Sequence, residues 1–213
     1  MPYTVDMGKN KKLLTSYRLF FGALGLSAII TEIFVLLQRN TFTPANFFSF
    51  FTVESNIFAA IVLLSGGFAL LCSKKPVRYD MTRGAAVLYM AVTGIIFAAL
   101  LSGLDAGILT AVPWDNTVLH YIMPIAVFGD WLLDPPVQRI SFKKALIWVL
   151  YPLTYLVYTL VRGAIVGWYP YPFLNASEHS YESIAVVSLG IAAVVAVIAF
   201  VITKVVPYRD SKR

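Results

Sequence analysis

The sequence predicts an all-α membrane protein, a single integral membrane domain over residues 1–213 built as a six-transmembrane-helix bundle. Of the 213 residues, 59% are hydrophobic and only 13% are charged, about half the charged fraction of a typical soluble domain. The apolar residues also come in runs of about 20, the length that crosses about 30 Å of hydrocarbon. No polar stretch between these runs is long enough to form a soluble domain.

The apolar runs predict six spans, separated by short polar segments. Their approximate ranges are 17–37, 47–72, 85–109, 116–134, 143–163 and 182–206. The fourth span is short and contains Pro124 and Asp130. Asp115 or Asn116 would cap its start, and the prolines at 135–136 would end it, because proline cannot readily continue a helix.

The basic residues predict the orientation of the bundle. Of the seventeen Lys and Arg residues, all but Arg39 and Arg162 fall on one predicted side. Because cytoplasmic flanks carry the positive excess, we expect both termini in the cytoplasm. This orientation also explains the net charge of +6, so nucleic acid is not an expected partner.

Cysteine and histidine usage predicts neither a disulfide nor a metal site. Cys72 is the single cysteine and cannot form an internal disulfide. His120 and His179 are the two histidines, and they form no spaced metal motif. We therefore expect no cofactor, and we interpret the basic N-terminal segment as part of a retained first helix rather than a signal peptide.

Polar side chains inside the predicted spans are the main functional signal, because such groups are costly in lipid and usually face the bundle interior. With the orientation above, most of them fall in the outer leaflet, on five different helices. This outer set comprises Glu32, Thr52, Glu54, Ser55, Asn56, Asp105, Asn116, His120 and Arg162. Asp130 and Asp134 lie near the inner end instead. The sequence thus predicts one candidate site near the outer surface.

Helical periodicity adds aromatic side chains to this site. The stripe on the predicted fourth helix comprises Asn116, His120, Val127, Trp131 and Asp134. The stripe on the predicted fifth helix comprises Trp148, Tyr151, Tyr155, Tyr158 and Arg162. Taken singly, these residues also have ordinary interpretations: a threonine bonded to its own backbone, a packed histidine, a snorkelling arginine and an aromatic belt.

Four strings carry a family resemblance. They are Phe51-Thr52-Val53-Glu54-Ser55-Asn56, Leu119-His120-Tyr121 with Pro124, Asp130-Trp131-Leu132, and the stretch from Tyr151-Pro152 to Phe173. Over most of 47–175 the chain resembles bacterial six-helix membrane proteins of the Pr-six-Pr type, which implies a bacterial plasma membrane. It is more distantly similar to the eukaryotic androgen-induced membrane proteins, which hydrolyse fatty acid esters of hydroxy fatty acids.

The distant resemblance implies which residues would be catalytic. Those hydrolases use a membrane-embedded threonine after an aromatic start to the second helix, which matches Thr52. They also use a histidine between an asparagine and a proline early in the fourth helix, which matches Asn116, His120 and Pro124. The flank of Thr52 departs from the pattern because Glu54 makes it more polar.

The chemistry of these residue types agrees with that assignment. A threonine hydroxyl becomes a nucleophile when a base takes its proton, and histidine is suited to this at neutral pH. Candidates for stabilising an oxyanion or binding substrate are Asn56, Arg162, Tyr158, Asn116, Asp105, Tyr151, Tyr155 and Trp131. Glu32, Glu54 and Asp130 are further intramembrane ionisable residues. These observations predict a lipid-ester hydrolase or acyltransferase acting in the outer leaflet, with membrane lipids and an acyl-chain substrate as partners.

A different class of function fits the same charged residues. A small-molecule or proton-coupled carrier could use the Glu, Asp and Arg cluster of the outer leaflet. The sequence contains no convincing inverted repeat and no paired broken helices, which many carriers have. The oligomeric state is left open.

Overall fold

The computed structural model of the protein describes residues 7–72, 79–103, 110–137, 139–205 and 208. Every regular element in these ranges is helical. The first half comprises α1 (Met7–Gln38), α2 (Pro44–Phe47), α3 (Phe51–Leu71), α4 (Tyr79–Ile96) and the π-helical segment π1 (Phe97–Leu101). The second half comprises α5 (Pro113–Thr117), the π-helical segment π2 (Val118–Ile122), α6 (Met123–Leu133), α7 (Phe142–Val166), a 3-10 turn (Pro172–Leu174) and α8 (Tyr181–Val205).

Five of these helices are long and apolar enough to cross a membrane, as expected of a multi-pass membrane protein. They are Lys11–Gln38, Phe51–Leu71, Tyr79–Leu101, Phe142–Val166 and Tyr181–Lys204. The first helix begins well before the predicted residue 17, and the third begins at 79 rather than 85. The end of the predicted third span, including Asp105, lies outside the described residues. The short helix α2 was not predicted.

The predicted fourth span is helical from Pro113 to Leu133 but is divided into α5, π2 and α6. Pro124 gives a physical reason for the division. In an α-helix its N–H would donate to the His120 carbonyl, but proline has no N–H, and its ring would clash with that carbonyl. The wider π turn directly before Pro124 ends with the Met123 N–H donating to the Val118 carbonyl. A sixth span therefore stays a prediction.

Helix α4 is the centre of the bundle. It contacts α3, α6, α7 and α8, and 61% of its apolar stretch is buried, against 17% for α8. Helices α1 and α3 pack closely along their length. Gly22 of α1 lies against Leu64, and Gly67 of α3 lies against Leu19, as expected where small residues let two membrane helices approach.

A buried ion cluster joins α1, α4 and α6. Arg18 Nε lies 2.6 Å from Asp130 Oδ1, and Arg83 Nη2 lies 2.8 Å from Asp130 Oδ2. Arg18 also lies 2.9 Å from Asp134, and both arginine side chains are only 2% exposed. The distribution of basic residues in the sequence predicts flanking positions for these two arginines, whereas the structure buries them. We call the end of the bundle that contains this ion cluster the charged end. We call the opposite end, where α1 finishes and α3 begins, the cavity end.

Candidate functional site

Thr52 lies in the first turn of α3 at the cavity end. Phe50 precedes the helix in an extended conformation (φ −80°, ψ 124°), so the first N–H groups of α3 have no carbonyl partner within the helix. Tyrosine hydroxyls act as the acceptors instead of carbonyls: the Phe51 N–H donates to Tyr155 at 3.2 Å, and the Thr52 N–H donates to Tyr171 at 3.4 Å. The Thr52 residue is 8% exposed and is therefore held in a fixed, nearly buried position.

The Thr52 hydroxyl lies beside the His120 ring. Thr52 Oγ1 is 3.2 Å from His120 Nε2, and His120 Nδ1 is 3.1 Å from the backbone carbonyl of Asn116. Because a carbonyl can only accept, Nδ1 carries the hydrogen in this contact. That leaves Nε2 of the neutral ring with its lone pair facing Thr52, so the threonine hydroxyl donates to the histidine.

Two π-helical segments meet at the His120 ring. His120 belongs to π2 and stacks on Phe97, the first residue of π1, with centroids 3.9 Å apart and planes 20° from parallel. Gly94 faces Pro124 and the His120 carbonyl at close range, where a Cβ would be crowded. The His120 ring is therefore packed between Phe97 and the helical segment that carries the histidine. Such π segments often occur at functional sites.

Asn56 joins α3 to the histidine segment. Its side-chain nitrogen donates to the Thr52 carbonyl at 2.9 Å and to the Leu119 carbonyl at 3.1 Å. Both amide hydrogens are therefore used, so the prediction that Asn56 donates to an oxyanion is wrong. Its contacts instead fix Thr52 relative to the neighbour of His120. Ser55, one residue earlier, bonds to Thr93 of α4 at 2.8 Å.

Tyr171 is a site residue that sequence reasoning missed. It lies in the segment between α7 and α8, where Gly167 ends α7 in the left-handed conformation (φ 68°). Its ring contacts Phe50 edge-on and stacks on Phe173. The hydroxyl accepts from the Thr52 N–H and lies within reach of the Thr52 side chain. Burial raises the pKa of the Tyr171 phenol, so it keeps a hydrogen to donate.

Two cavities of different character meet at Thr52 and Tyr171. The polar chamber has a volume of about 400 Å³ and also reaches His120. Its remaining polar lining comprises Glu32, Arg39, Thr41, Thr43, Asn46 and Thr110. The apolar cleft is narrower, about 50 Å³, and lies between α4, α7 and α8. Its apolar lining includes Val92, Ile96, Phe97, Leu156, Phe173 and Ile191.

Glu32, in the lining of the polar chamber, lies beside a second buried carboxyl group, that of Asp115. Glu32 is 7% exposed, and its Oε1 accepts from the Ala111 N–H at 2.7 Å. Asp115 is fully buried and lies beside Glu32. The two carboxyl groups lie within hydrogen-bonding distance of each other, so a proton held between them gives Glu32 a second donor besides the Ala111 N–H. Asp115 also has hydrogen-bond contacts with the Thr110 side chain and the Asn116 backbone.

Several predicted site residues have partners away from the Thr52–His120 pair. Arg162 donates to Asn46 at 2.8 Å and lies over the Trp168 ring. Tyr158 contacts the Ser49 hydroxyl at 3.4 Å. Arg162 is therefore next to the polar chamber but does not line it, and neither side chain has a contact that would let it donate to an oxyanion at Thr52.

The remaining aromatic candidates also have partners other than the Thr52 and His120 side chains. Tyr155 donates to the Ser49 carbonyl at 2.7 Å and lines the apolar cleft, so its role is to hold the start of α3. Tyr151 donates to Glu54 at 2.6 Å. Trp131 lies at the charged end, where Arg83 packs over its ring. Asn116 contributes its backbone carbonyl rather than its side chain.

No family model, curated protein or solved structure matches the chain. Within the described ranges, no group of three or more His, Cys, Asp or Glu side chains could hold a metal ion. The geometry of the Thr52–His120 pair and the two cavities around it is therefore the main indication of function.

Proposed function

We propose that the protein is a membrane-embedded hydrolase of lipid esters, with Thr52 as nucleophile and His120 as general base. The observation that carries this proposal is the 3.2 Å contact between Thr52 Oγ1 and a His120 Nε2 whose lone pair is left free by the Asn116 contact. Nucleophile and base at this distance, with the base oriented by a third group, are the usual arrangement for acyl transfer. Thr52 also opens onto cavities on two sides.

The reaction would proceed through an acyl-threonine. Thr52 Oγ1 attacks the ester carbonyl carbon while its proton moves to His120 Nε2, giving a tetrahedral intermediate. The bond to the alcohol oxygen then breaks, and His120 returns the proton to the departing alcohol. A water molecule next attacks the acyl-threonine, with His120 again taking and returning the proton. The fatty acid leaves and Thr52 is regenerated.

Tyr171 is the residue best placed to stabilise the oxyanion. Its hydroxyl already accepts the Thr52 N–H, and a hydroxyl that accepts one hydrogen bond becomes a better donor of its own hydrogen. The start of α3 adds the positive end of a helix dipole at the same point. The apolar cleft, at about 50 Å³, has room for the first carbons of an acyl chain, and nearly all of its other lining side chains are hydrocarbon.

The membrane setting of the proposal follows from the sequence. We propose that Pro113–Leu133 completes a sixth span, since 21 helical residues extend about 31 Å. The positive-inside rule then puts both termini in the cytoplasm and the cavity end in the outer leaflet. The resemblance to the androgen-induced proteins adds support for a threonine hydrolase, and it suggests fatty acid esters of hydroxy fatty acids as substrates.

A fluorophosphonate probe tests the proposal on the purified full-length protein. Attack by Thr52 on phosphorus expels fluoride and leaves a covalent label, which peptide mass spectrometry locates. We expect labelling at Thr52, its loss in Thr52→Ala and His120→Ala, and its retention in Thr52→Ser. Thr203→Ala is a matched control, because this buried threonine bonds only to a backbone carbonyl near the charged end. Labelling that survives both alanine changes would refute the Thr52–His120 pair.

The carrier hypothesis has less support from the geometry. Its charged residues do not gather around one cavity: Glu54 pairs with Tyr151, and Arg162 pairs with Asn46. Asp105 lies outside the described residues. Flux of a solute into proteoliposomes that depends on Arg162 but not on Thr52 would favour the carrier.

A further inference from the structure

Proton transfer from Thr52 would put a positive charge on the His120 ring. Once Nε2 has accepted the proton, both ring nitrogens carry hydrogen and the imidazole is an imidazolium. In serine hydrolases a carboxylate stabilises this cation. Here Nδ1 contacts the backbone carbonyl of Asn116, and no carboxylate of the described residues forms an ion pair with the ring. Another group is therefore needed to stabilise the charge.

The Phe97 ring lies directly on the face of the His120 ring. The two centroids are 3.9 Å apart and the planes are 20° from parallel. Neutral aromatic pairs disfavour close face-to-face stacking, because both faces are negative, and their centroids usually lie about 4.5–7 Å apart. A cation has the opposite preference and is attracted to the face of an aromatic ring. The observed stack therefore suits an imidazolium better than a neutral imidazole.

The contact between the two rings is shielded from water. Phe97 is 3% exposed and His120 is 6% exposed. Tyr121 packs edge-on against Phe97 with the centroids 5.4 Å apart. Phe97 also lines the apolar cleft, so an acyl chain in the cleft would lie against its ring and keep water away. Because attraction between a cation and a ring face is larger where both are desolvated, this position favours a substantial effect.

We propose that Phe97 stabilises the His120 imidazolium by a cation–π interaction, in place of the carboxylate of a serine hydrolase. This inference rests on the proposed hydrolysis at Thr52 and adds a residue to that active site. Phe97 is a positioning residue, since it acts through His120 and not on the ester carbonyl. The interaction strengthens as the proton moves to His120, so it stabilises the transition state more than the ground state.

Stepwise fluorination of Phe97 tests this interaction with little change in the shape of the ring. Site-specific incorporation into the full-length protein replaces Phe97 with para-fluoro-, trifluoro- or pentafluorophenylalanine. Fluorine withdraws electron density from the ring face and so weakens its attraction for a cation. We expect the rate constant for fluorophosphonate labelling of Thr52 to fall with each step, and about tenfold in total for the pentafluoro ring.

Phe58 provides the matched control for fluorination. It lies on the same helix as Thr52, its ring packs on the neutral ring of Tyr89, and it lines neither cavity. Pentafluorophenylalanine at position 58 should therefore label at the wild-type rate.

Histidine NMR provides a measurement that does not depend on labelling. The chain has two histidines, and His179 is exposed in the segment between α7 and α8, so it serves as an internal reference. Samples in detergent are compared at the pH at which half of the wild-type His120 is protonated. Each fluorination step at Phe97 should lower the protonated fraction of His120 and leave that of His179 unchanged.

The two measurements separate this inference from the hydrolase proposal. If neither the labelling rate nor the protonation of His120 depends on fluorination, the role of Phe97 is refuted and a labelled Thr52 still supports the hydrolase. Slower labelling with unchanged protonation assigns the effect to packing and also overturns the inference. If protonation depends on fluorination but Thr52 never labels, the cation–π interaction is supported and the hydrolase is wrong. If the pentafluoro variant does not fold, the other two variants provide the same comparison.

Discussion

At the scale of single residues, the Asn116 carbonyl determines which nitrogen of His120 can act as a base. The 3.1 Å contact with Nδ1 keeps the hydrogen on that nitrogen and leaves Nε2 to accept the proton of Thr52. In serine hydrolases a carboxylate commonly performs this task, stabilising the imidazolium as well as orienting the ring. A backbone carbonyl orients the ring with a partial charge only, and no side-chain substitution can remove it.

The first residue-scale prediction concerns Tyr171. Tyr171→Phe removes the proposed oxyanion donor while keeping the ring that packs on Phe50 and Phe173. We expect kcat for ester hydrolysis to fall about 100-fold with little change in KM, because the lost contact forms mainly in the transition state. Tyr169→Phe, two residues earlier, is the matched control and should leave kcat unchanged. A normal kcat in Tyr171→Phe would assign the oxyanion to another donor.

A residue's role could be predicted from the sequence only where its bonding partner could also be identified from the sequence. Thr52 and His120 could be proposed together because their types form a nucleophile and a base and their predicted depths match. Asn56 could not be assigned correctly, since only the structure shows that both of its amide hydrogens bond to carbonyls. Tyr171 lies outside every predicted span, and no periodicity brings a residue between α7 and α8 to the start of α3.

At the scale of elements, the π turn containing His120 divides the predicted fourth span into separate helical segments. A π turn adds about one residue to the turn, which rotates every later side chain by about 100° relative to a regular α-helix. The predicted stripe from His120 to Trp131 crosses this turn, and both side chains nevertheless face α4 or its direct continuation: His120 stacks on Phe97, and Trp131 lies under Arg83. Pro124 could be read from the sequence, but the π turn that precedes it was not predicted.

The element-scale prediction concerns the segment that carries Tyr171. Gly163 of α7 lies in direct contact with the Tyr169 ring, and a Cβ there would overlap the ring. Gly163→Ala should displace Tyr169 and the neighbouring Tyr171, and slow fluorophosphonate labelling of Thr52 by about tenfold or more, because small misplacements of catalytic groups are costly. The rate constant for labelling is the measurement.

Gly190→Ala provides the control for that change, because nothing lies within 4 Å of a Cβ at Gly190 of α8. Alanine also favours a helix over glycine, so this variant should label at the wild-type rate and unfold at or above the wild-type temperature. Wild-type labelling in Gly163→Ala would show that the position of the α7–α8 segment does not limit the reaction.

At the scale of the whole molecule, the two ends of the bundle differ in how their polar groups are satisfied. At the charged end, Asp130 bonds to Arg18 and Arg83 at 2.6 and 2.8 Å. At the cavity end, Glu32 is paired with the Asp115 carboxyl and the Ala111 N–H rather than with a basic side chain, and a cavity lies beside it. The helical class and five apolar spans followed from composition and run length. The pairing of charges did not, because hydropathy gives no helix order around a bundle.

Because the ion cluster and the Thr52–His120 pair lie at opposite ends of the bundle, we expect that stability and reactivity can be changed separately. Asp130→Asn removes the negative charge between two arginines that are each 2% exposed. Breaking a buried ion pair by neutralising one partner leaves the other charge buried, so we expect a loss of about 3 kcal/mol in the free energy of unfolding. Glu182→Gln, at an exposed acid in the first turn of α8, should leave that free energy unchanged. Denaturant titration in mild detergent measures both variants.

Because α6 separates Asp130 from His120 by about 15 Å along the helix, the folded fraction of Asp130→Asn should still label at Thr52 at the wild-type rate. Slow labelling of a fully folded Asp130→Asn protein would instead show that the charged end positions His120 through α6.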